Sequence, residues 1–255
     1  MADGRSGVKN PHDPMAERID DLQCRGYRII QDTEGFCFGQ DAVLLANYAL
    51  RAVKPESRVL DLGTGTGIVP LLIAAKSEAG DITGLEIQDS VASLAERSVV
   101  LNGAEDRVHI VRGDLRKVRE LGFTDSMNVV TSNPPYMNTG LRSTENRKLI
   151  SRHEVLCSFS DVARAAALTL KSKGHFFLVH RPNRLAEIMA ELRRQQLEPR
   201  RLRLVYPFAG KEANLFLLEA IKGGGTELHV EAPLIVYKAV GEYTDEIREI
   251  YYQEG

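Results

Sequence analysis

The chain has 255 residues, with 33 lysines and arginines against 35 aspartates and glutamates, for a formal net charge of -2. An apolar content of 43% and a charged content of 27% lie in the range of globular proteins, and the length suits one large domain or one domain with a modest appendage. The charge balance excludes a global attraction to polyanions, so a nucleic-acid partner would have to be met by a local basic patch.

The three cysteines, Cys24, Cys37 and Cys157, are far apart and form no C-x-x-C pair. They are expected to be reduced thiols, neither a disulfide frame nor a zinc site. The opening "MADGRSGVKNPHDPMAERIDD" has no apolar core of signal-peptide length, and no segment approaches the roughly 18 to 20 apolar residues of a membrane span. The expectation is a cytoplasmic protein without membrane or metal.

In chain order, residues 1–25 are expected to form a tail or loosely docked arm, and residues 26–255 a single domain. "YRIIQDTEG" has strand character and a turn at Gly35. A helix follows from Asp41, with Val43, Leu44, Ala46, Tyr48 and Leu50 as its apolar positions. "RVLDLG" (58–63) is a short buried strand, and "IVPLLIAAKS" an apolar helix whose Pro70 falls in the first turn, where a missing N–H does little harm. "DITGLEI" is the second strand, 89–101 the second helix, "VHIVRGD" the third strand and "MNVVTSN" the fourth. A helix over 160–170 then precedes a fifth strand, "GHFFLVH". After a charged amphipathic helix over 184–196 come "RLRLVYP" and "NLFLLEA", whose six-residue linker "FAGKEA" is too short for a crossover and so makes them antiparallel. The C-terminus adds an extended piece, "LIVYKAV", and a last helix. Strands alternating with helices predict an α/β fold: seven mostly parallel strands with an antiparallel C-terminal hairpin and helices on both faces.

"DLGTGTG" (61–67) closes the first strand and opens the first helix of that alternation. Glycines there let a ligand approach the backbone, and the helix N-terminus offers unpaired N–H groups. The spacing G-x-G-x-G departs from the G-x-G-x-x-G of dinucleotide sites. Glu86 ends the second strand, where an acid can accept hydrogen bonds from ribose hydroxyls. Asp114 ends the third, where it can accept from an adenine amine. Three such groups at the ends of consecutive strands predict a nucleoside pocket, compatible with an S-adenosylmethionine enzyme or an NAD-linked dehydrogenase.

The fourth strand runs into Asn133-Pro134-Pro135-Tyr136. An aromatic exocyclic amine is a poor nucleophile because its lone pair is delocalised into the ring. Acceptors aimed at both of its hydrogens favour a pyramidal nitrogen. The Asn133 side-chain oxygen supplies one acceptor and the Pro134 carbonyl another, with its direction restricted by the proline ring. Tyr136 can stack on the base, worth roughly 1 to 3 kcal/mol. What remains is positioning of the nitrogen. A dehydrogenase leaves this tetrapeptide unexplained, and a non-catalytic nucleoside-binding or RNA-binding module would be free to lose it.

"DLGTGTG", "GLEIQ", "RGD" and "SNPPY" together resemble the Rossmann-like class I S-adenosylmethionine-dependent methyltransferases that act on amino groups, over roughly residues 27–220. The resemblance implies S-adenosylmethionine as cofactor. It would be held by Asp61, Gly63, Thr64, Gly65, Gly67, Glu86, Ile87, Asp114, Leu115 and Asn133, with Asn133, Pro134, Pro135 and Tyr136 catalytic. The tetrapeptide is shared with DNA and RNA adenine methyltransferases and with release-factor glutamine methyltransferases, so a protein amide stays an alternative acceptor. "FCFGQDAVLLANY" resembles a segment of the bacterial tRNA adenine-N6-methyltransferases that act beside the anticodon of a valine tRNA, which implies that Gln40 and Asp41 line the methionine end of the cofactor. "MNTGLRSTENRKLISRHE" is similar to the same group, and implies that Arg142, Arg147, Lys148 and Arg152 surround the entry of an RNA base; His153 lies in the same run without an assigned role. A second cluster, Arg193, Arg194, Arg200, Arg201 and Arg203, is equally consistent with facing solvent or phosphate.

Overall fold

In the computed structural model, which describes residues 17–33, 39–135 and 157–252, the alternation of strands and helices forms a layered sheet. Strand β1 (Glu17–Asp21) pairs antiparallel with β2 (Arg28–Asp32) in a separate hairpin. Helix α1 (Gln40–Ala49) follows, then β3 (Arg58–Leu62), α2 (Ile68–Lys76), β4 (Asp81–Glu86), α3 (Asp89–Leu101), β5 (Val108–Arg112) and β6 (Met127–Ser132). The C-terminal half contributes α4 (Phe159–Thr169), β7 (Leu170–His180), α5 (Leu185–Arg194), β8 (Leu197–Phe208) and β9 (Leu215–Lys222). It ends in β10 (His229–Val230), β11 (Leu234–Ala239), β12 (Glu242–Tyr243) and α6 (Asp245–Tyr251).

The main sheet runs β12-β11-β8-β9-β7-β6-β3-β4-β5, with β10 also paired to β8. Strands β3 to β7 are mutually parallel, and β9 lies antiparallel between β7 and β8. The seven predicted strands and their antiparallel hairpin are therefore present. The count is corrected to ten, because β10, β11 and β12 extend the edge beyond β8. Two of these additions have only two residues each, too short to leave a periodic signal. Part of the expected N-terminal arm, residues 17–21, is also strand, tied to α3 by a paired contact between Arg97 and Glu17 at 2.7 and 2.8 Å.

Successive residues of the central strands enter opposite cores, as a pleated strand dictates. Val59, Val129 and Phe177 pack under α1, α2 and α6, while Leu60, Val130 and Phe176 pack under α4 and α5. Helix α2 buries every residue from Ile68 to Ala75. That explains an apolar stretch with no polar face. Helix α4 starts at Ser158, whose main-chain N–H donates to Asp161 Oδ2 at 3.0 Å while its hydroxyl accepts from the Asp161 N–H at 3.3 Å, a reciprocal cap. Among the described residues no helix is long and apolar enough to cross a membrane.

The chain leaves β3 toward β4 on one side and later fills the other side with β6. In an open parallel sheet such a reversal opens a crevice beyond the carboxyl ends of the strands. The glycine loop and Asn133 both emerge into it.

Candidate cofactor and substrate site

The glycine loop turns because three of its residues adopt the left-handed region: Gly63 at φ +72°, Gly65 at +59° and Gly67 at +87°. A Cβ built on Gly63 or Gly65 would meet nothing within 4 Å, so these two glycines present backbone to open space. At Gly67 the Cβ would lie 3.2 Å from that of Ala95. That glycine serves the close packing of α2 on α3. Gly84 has the same duty, since a Cβ there would lie 2.8 Å from the Thr64 side chain.

A hydrogen-bond set fixes the loop. The Gly63 and Thr64 N–H groups donate to the Leu85 carbonyl at 2.9 and 3.0 Å. The Gly65 N–H donates to Glu86 Oε2 at 2.9 Å, and the Gln88 N–H to Glu86 Oε1 at 2.9 Å. Glu86 is 4% exposed; its Oε1 also accepts from Gln88 Nε2 at 3.3 Å, and Oε2 can accept a second bond. It therefore braces the loop and keeps acceptor capacity for a ligand hydroxyl.

Asp61 is 3% exposed, and its Oδ1 accepts from the Thr131 hydroxyl at 2.6 Å. Burial pushes its carboxyl up from 3.8 to about 6; the hydrogen bond from Thr131 opposes the shift and the Glu86 charge adds to it. The Thr64 hydroxyl is near enough to act on the same carboxyl, yet Thr64 Oγ1 is buried without a hydrogen bond of good geometry. Buried polar atoms are normally paired. An orphaned hydroxyl in a glycine cradle beside a buried acid fits a polar ligand bound there.

The other expected cofactor residues fall in two places. Ile87 follows Glu86 and is 41% exposed, an apolar surface on which a flat ring can pack. Asp114 accepts from the Arg116 N–H at 2.9 Å and from Arg116 Nε at 2.8 Å; that guanidinium chiefly, helped by the main-chain bond, holds its carboxyl below the usual range against the opposing effect of burial. Asp114 thus caps the turn Leu115–Lys117, with Leu115 half-buried against the adjoining core. Gln40 and Asp41 belong to a different contact. Asp41 Oδ1 accepts from the Ala42 N–H at 2.9 Å. Gln40 Nε2 is buried without a hydrogen bond of good geometry, although the Gln40 amide acts on the Tyr251 hydroxyl of α6.

Asn133 and Pro134 are half-buried and Pro135 exposed, directly beyond β6. Two side chains not evident from the sequence tie this strand end to the glycine loop: Thr131 through Asp61, and Ser132, whose hydroxyl donates to the Leu62 carbonyl at 3.0 Å. The signal for them was a threonine and a serine closing the otherwise apolar strand "MNVVTS". Tyr136, Arg142, Arg147, Lys148, Arg152 and His153 lie outside the described residues, as do Gly35 and Cys37.

The second arginine cluster is placed and neutralised. Arg193 pairs with Glu198 at 3.2 Å, Arg194 with Glu191 at 3.3 Å, Arg200 with Glu227 at 3.3 Å, Arg201 with Glu219 at 3.3 Å and Arg203 with Glu246 at 2.6 Å. Among the described residues no group of three or more His, Cys, Asp or Glu side chains is placed to hold a metal ion.

A parallel sheet with its switch point at β3, a glycine cradle and acids at the ends of β3 and β4 suit a nucleoside cofactor, and the similarities that follow assign the chain to the S-adenosylmethionine-dependent methyltransferases. Residues 22–171 match the family model of the TRM5/TYW2 methyltransferase domain, and the chain belongs to that family. A Bacteroides thetaiotaomicron protein named tRNA1(Val) (adenine(37)-N6)-methyltransferase is 30% identical over 159 residues, which cover 62% of this chain and 65% of the relative. The match thus spans just under two thirds of that relative's length. A protein of the same name from Shewanella sp. is 27% identical over 233 residues, 91% of this chain and 93% of the relative. Among solved structures, a protein from Agrobacterium tumefaciens described as a predicted O-methyltransferase superposes with a TM-score of 0.68 at 28% identity, covering 83% of this chain and 95% of its own. TYW2 of Pyrococcus horikoshii, crystallised with MeSAdo, has a TM-score of 0.58 at 14% identity, covering 82% and 72%; it shares the fold.

Proposed function

We propose that this chain, working in the cytoplasm as one domain over residues 26–255, methylates the exocyclic N6 of an adenine in tRNA at a base beside the anticodon. The observation that carries the reading is the Thr131–Asp61 hydrogen bond. It locks the strand that presents Asn133 to the strand that opens the glycine cradle. The shared name of the Bacteroides and Shewanella relatives supports the substrate.

Asp61, Thr64, Gly65 and Glu86 would hold S-adenosylmethionine, which when bound supplies an electrophilic methyl group. The Asn133 side-chain oxygen and the Pro134 carbonyl would accept the two amino hydrogens and so free the nitrogen lone pair. Tyr136 would stack on the base, and Arg142, Arg147, Lys148 and Arg152 would face phosphates at its entry. The attacking amine can lose its proton after transfer, so no general base is assigned. A base inside the anticodon loop would have to be turned out of its stack to reach Asn133.

The test is transfer of labelled methyl groups into total tRNA from cells lacking this protein, followed by nucleoside analysis. Label in N6-methyladenosine is expected. Label confined to protein would replace this reading with amide methylation.

A further inference from the structure

Of the three acids at the ends of β3, β4 and β5, Asp114 alone forms an ion pair among the described residues. It stands beside Glu86. Across β4 and β5 Glu86 lies opposite Arg112, and the Gly113 N–H donates to the Glu86 carbonyl at 2.9 Å. The turn Leu115–Lys117 then brings the Arg116 N–H to within 2.9 Å of Asp114 Oδ1. That bond belongs to the backbone turn and survives any movement of the Arg116 side chain.

The Arg116 guanidinium takes the rest of the carboxylate. Its Nε lies 2.8 Å from Oδ2 and 3.0 Å from Oδ1, and its Nη2 also donates to Oδ2. An ionised carboxylate offers about four acceptor sites, and with the main-chain bond all of them are drawn upon. A base amine that reaches Asp114 therefore has to take a site from the guanidinium. The guanidinium can yield. Its side chain is 40% exposed, against 16% for Asp114, so water receives it. Asp161, in the first turn of α4, adds to the attraction on the same guanidinium and offers it a second carboxylate. Exposed pairs of this kind are worth little, so the other contacts of a bound cofactor need offset only a modest loss.

We propose that Arg116 is a specificity-determining residue of the cofactor pocket: it holds the Asp114 oxygen that the adenine amine takes, and the base binds in exchange for this ion pair. The inference rests on the reading of Asp114 as the acceptor for that amine. A purine with an oxo group in place of the amine presents an acceptor there, which the carboxylate repels and the guanidinium can meet. Arg116 thus lowers affinity for the adenine cofactor and narrows the preference for an amine over an oxo group. As the base departs the pair re-forms, which leaves Asp114 with a partner and favours release of the spent cofactor.

The experiment is calorimetric titration of the full chain with S-adenosylhomocysteine and with S-inosylhomocysteine, which carry the same charge and differ in the purine 6-substituent. In Arg116→Gln, affinity for the adenosine compound should rise several-fold while that for the inosine compound holds or falls, so the ratio widens. Arg116→Lys, which keeps the charge and loses the fork, should fall between. Arg119→Gln removes another exposed charge three residues on and should match wild type, which controls for charge alone. An unchanged or narrower ratio in Arg116→Gln would overturn the inference, because a guanidinium that merely supports Asp114 would, once removed, weaken binding of the adenosine compound. Asp114→Asn tests the underlying reading by itself. The ratio should collapse in that variant, and a wild-type ratio there would remove Asp114 from adenine recognition whatever Arg116 does.

Discussion

The glycine-loop rim and the arginine face around β8 are both charged clusters in the sequence, and the fold treats them in opposite ways. At the rim, Asp61 and Glu86 are almost completely buried, and Glu86 Oε2 accepts a single hydrogen bond, from the Gly65 N–H. Around β8, each of five arginines meets a glutamate of the same chain within 3.3 Å. Buried charge with spare valence costs free energy and is kept where a ligand will use it. Exposed charge in pairs costs little and contributes little. A count of charged residues does not separate the two cases, whereas their partners do.

The largest effect expected of that difference is at the end of β6. Asn133→Ala should lower kcat about 100-fold or more, the loss typical of removing one preorganised polar group from a reacting centre. Cofactor affinity should stay near wild type, and single-turnover methyl transfer beside calorimetry separates the two quantities. Similar activity in the variant would remove Asn133 from the chemistry. Next comes Glu86→Ala, which strips acceptors from the Gly65 and Gln88 N–H groups. Charged hydrogen bonds of this kind are worth roughly 1.5 to 3 kcal/mol, so cofactor affinity should fall about 10- to 100-fold in titration. An unchanged dissociation constant would show that Glu86 serves the loop alone.

Asp61 sharpens the comparison through pH. Its carboxyl is raised from 3.8 to about 6 in the folded protein, chiefly by burial. The folded state therefore holds this proton more tightly than the unfolded state. The stability tied to Asp61 is greatest below pH 4, declines as pH rises from 4 to 6, and is flat above. Affinity for a positively charged cofactor should move the other way, rising between pH 5 and 7 as the carboxylate forms. Asp61→Asn should flatten both profiles, and a wild-type acid limb in that variant would assign the titration elsewhere.

The smallest effects should fall on the arginine face. Arg193→Ala and Arg194→Ala are each expected to change stability by no more than about 0.5 to 1 kcal/mol and to leave the salt dependence of tRNA binding alone. A lost unit of salt slope in either would mean that its ion pair opens for phosphate.

Much of the site was legible because the groups that make it are local. The glycines of "DLGTGTG" announce a turn that only residues tolerant of positive φ can make, and Gly63, Gly65 and Gly67 all adopt it. Asn133-Pro134-Pro135 was legible because two prolines cannot continue a central strand, and β6 ends at Ser132. Thr131 escaped notice since its role depends on Asp61, 70 residues earlier. The expected site of Gln40 and Asp41 was legible only as likeness, and the fold adds Tyr251 from the far end of the chain.

By itself, then, the sequence determined the order of strands and helices, the strand that carries the glycine loop and the strand that ends in Asn133. Those follow from periodicity and backbone sterics, which act over a few residues. Only the tertiary structure decided that the expected extended piece "LIVYKAV" joins the main sheet as β11, with β10 and β12 beside it, and that the five arginines meet glutamates of the same chain. Each of those outcomes is set by pairing between segments distant in the chain, where register and charge partners are fixed by packing and not by neighbours in sequence.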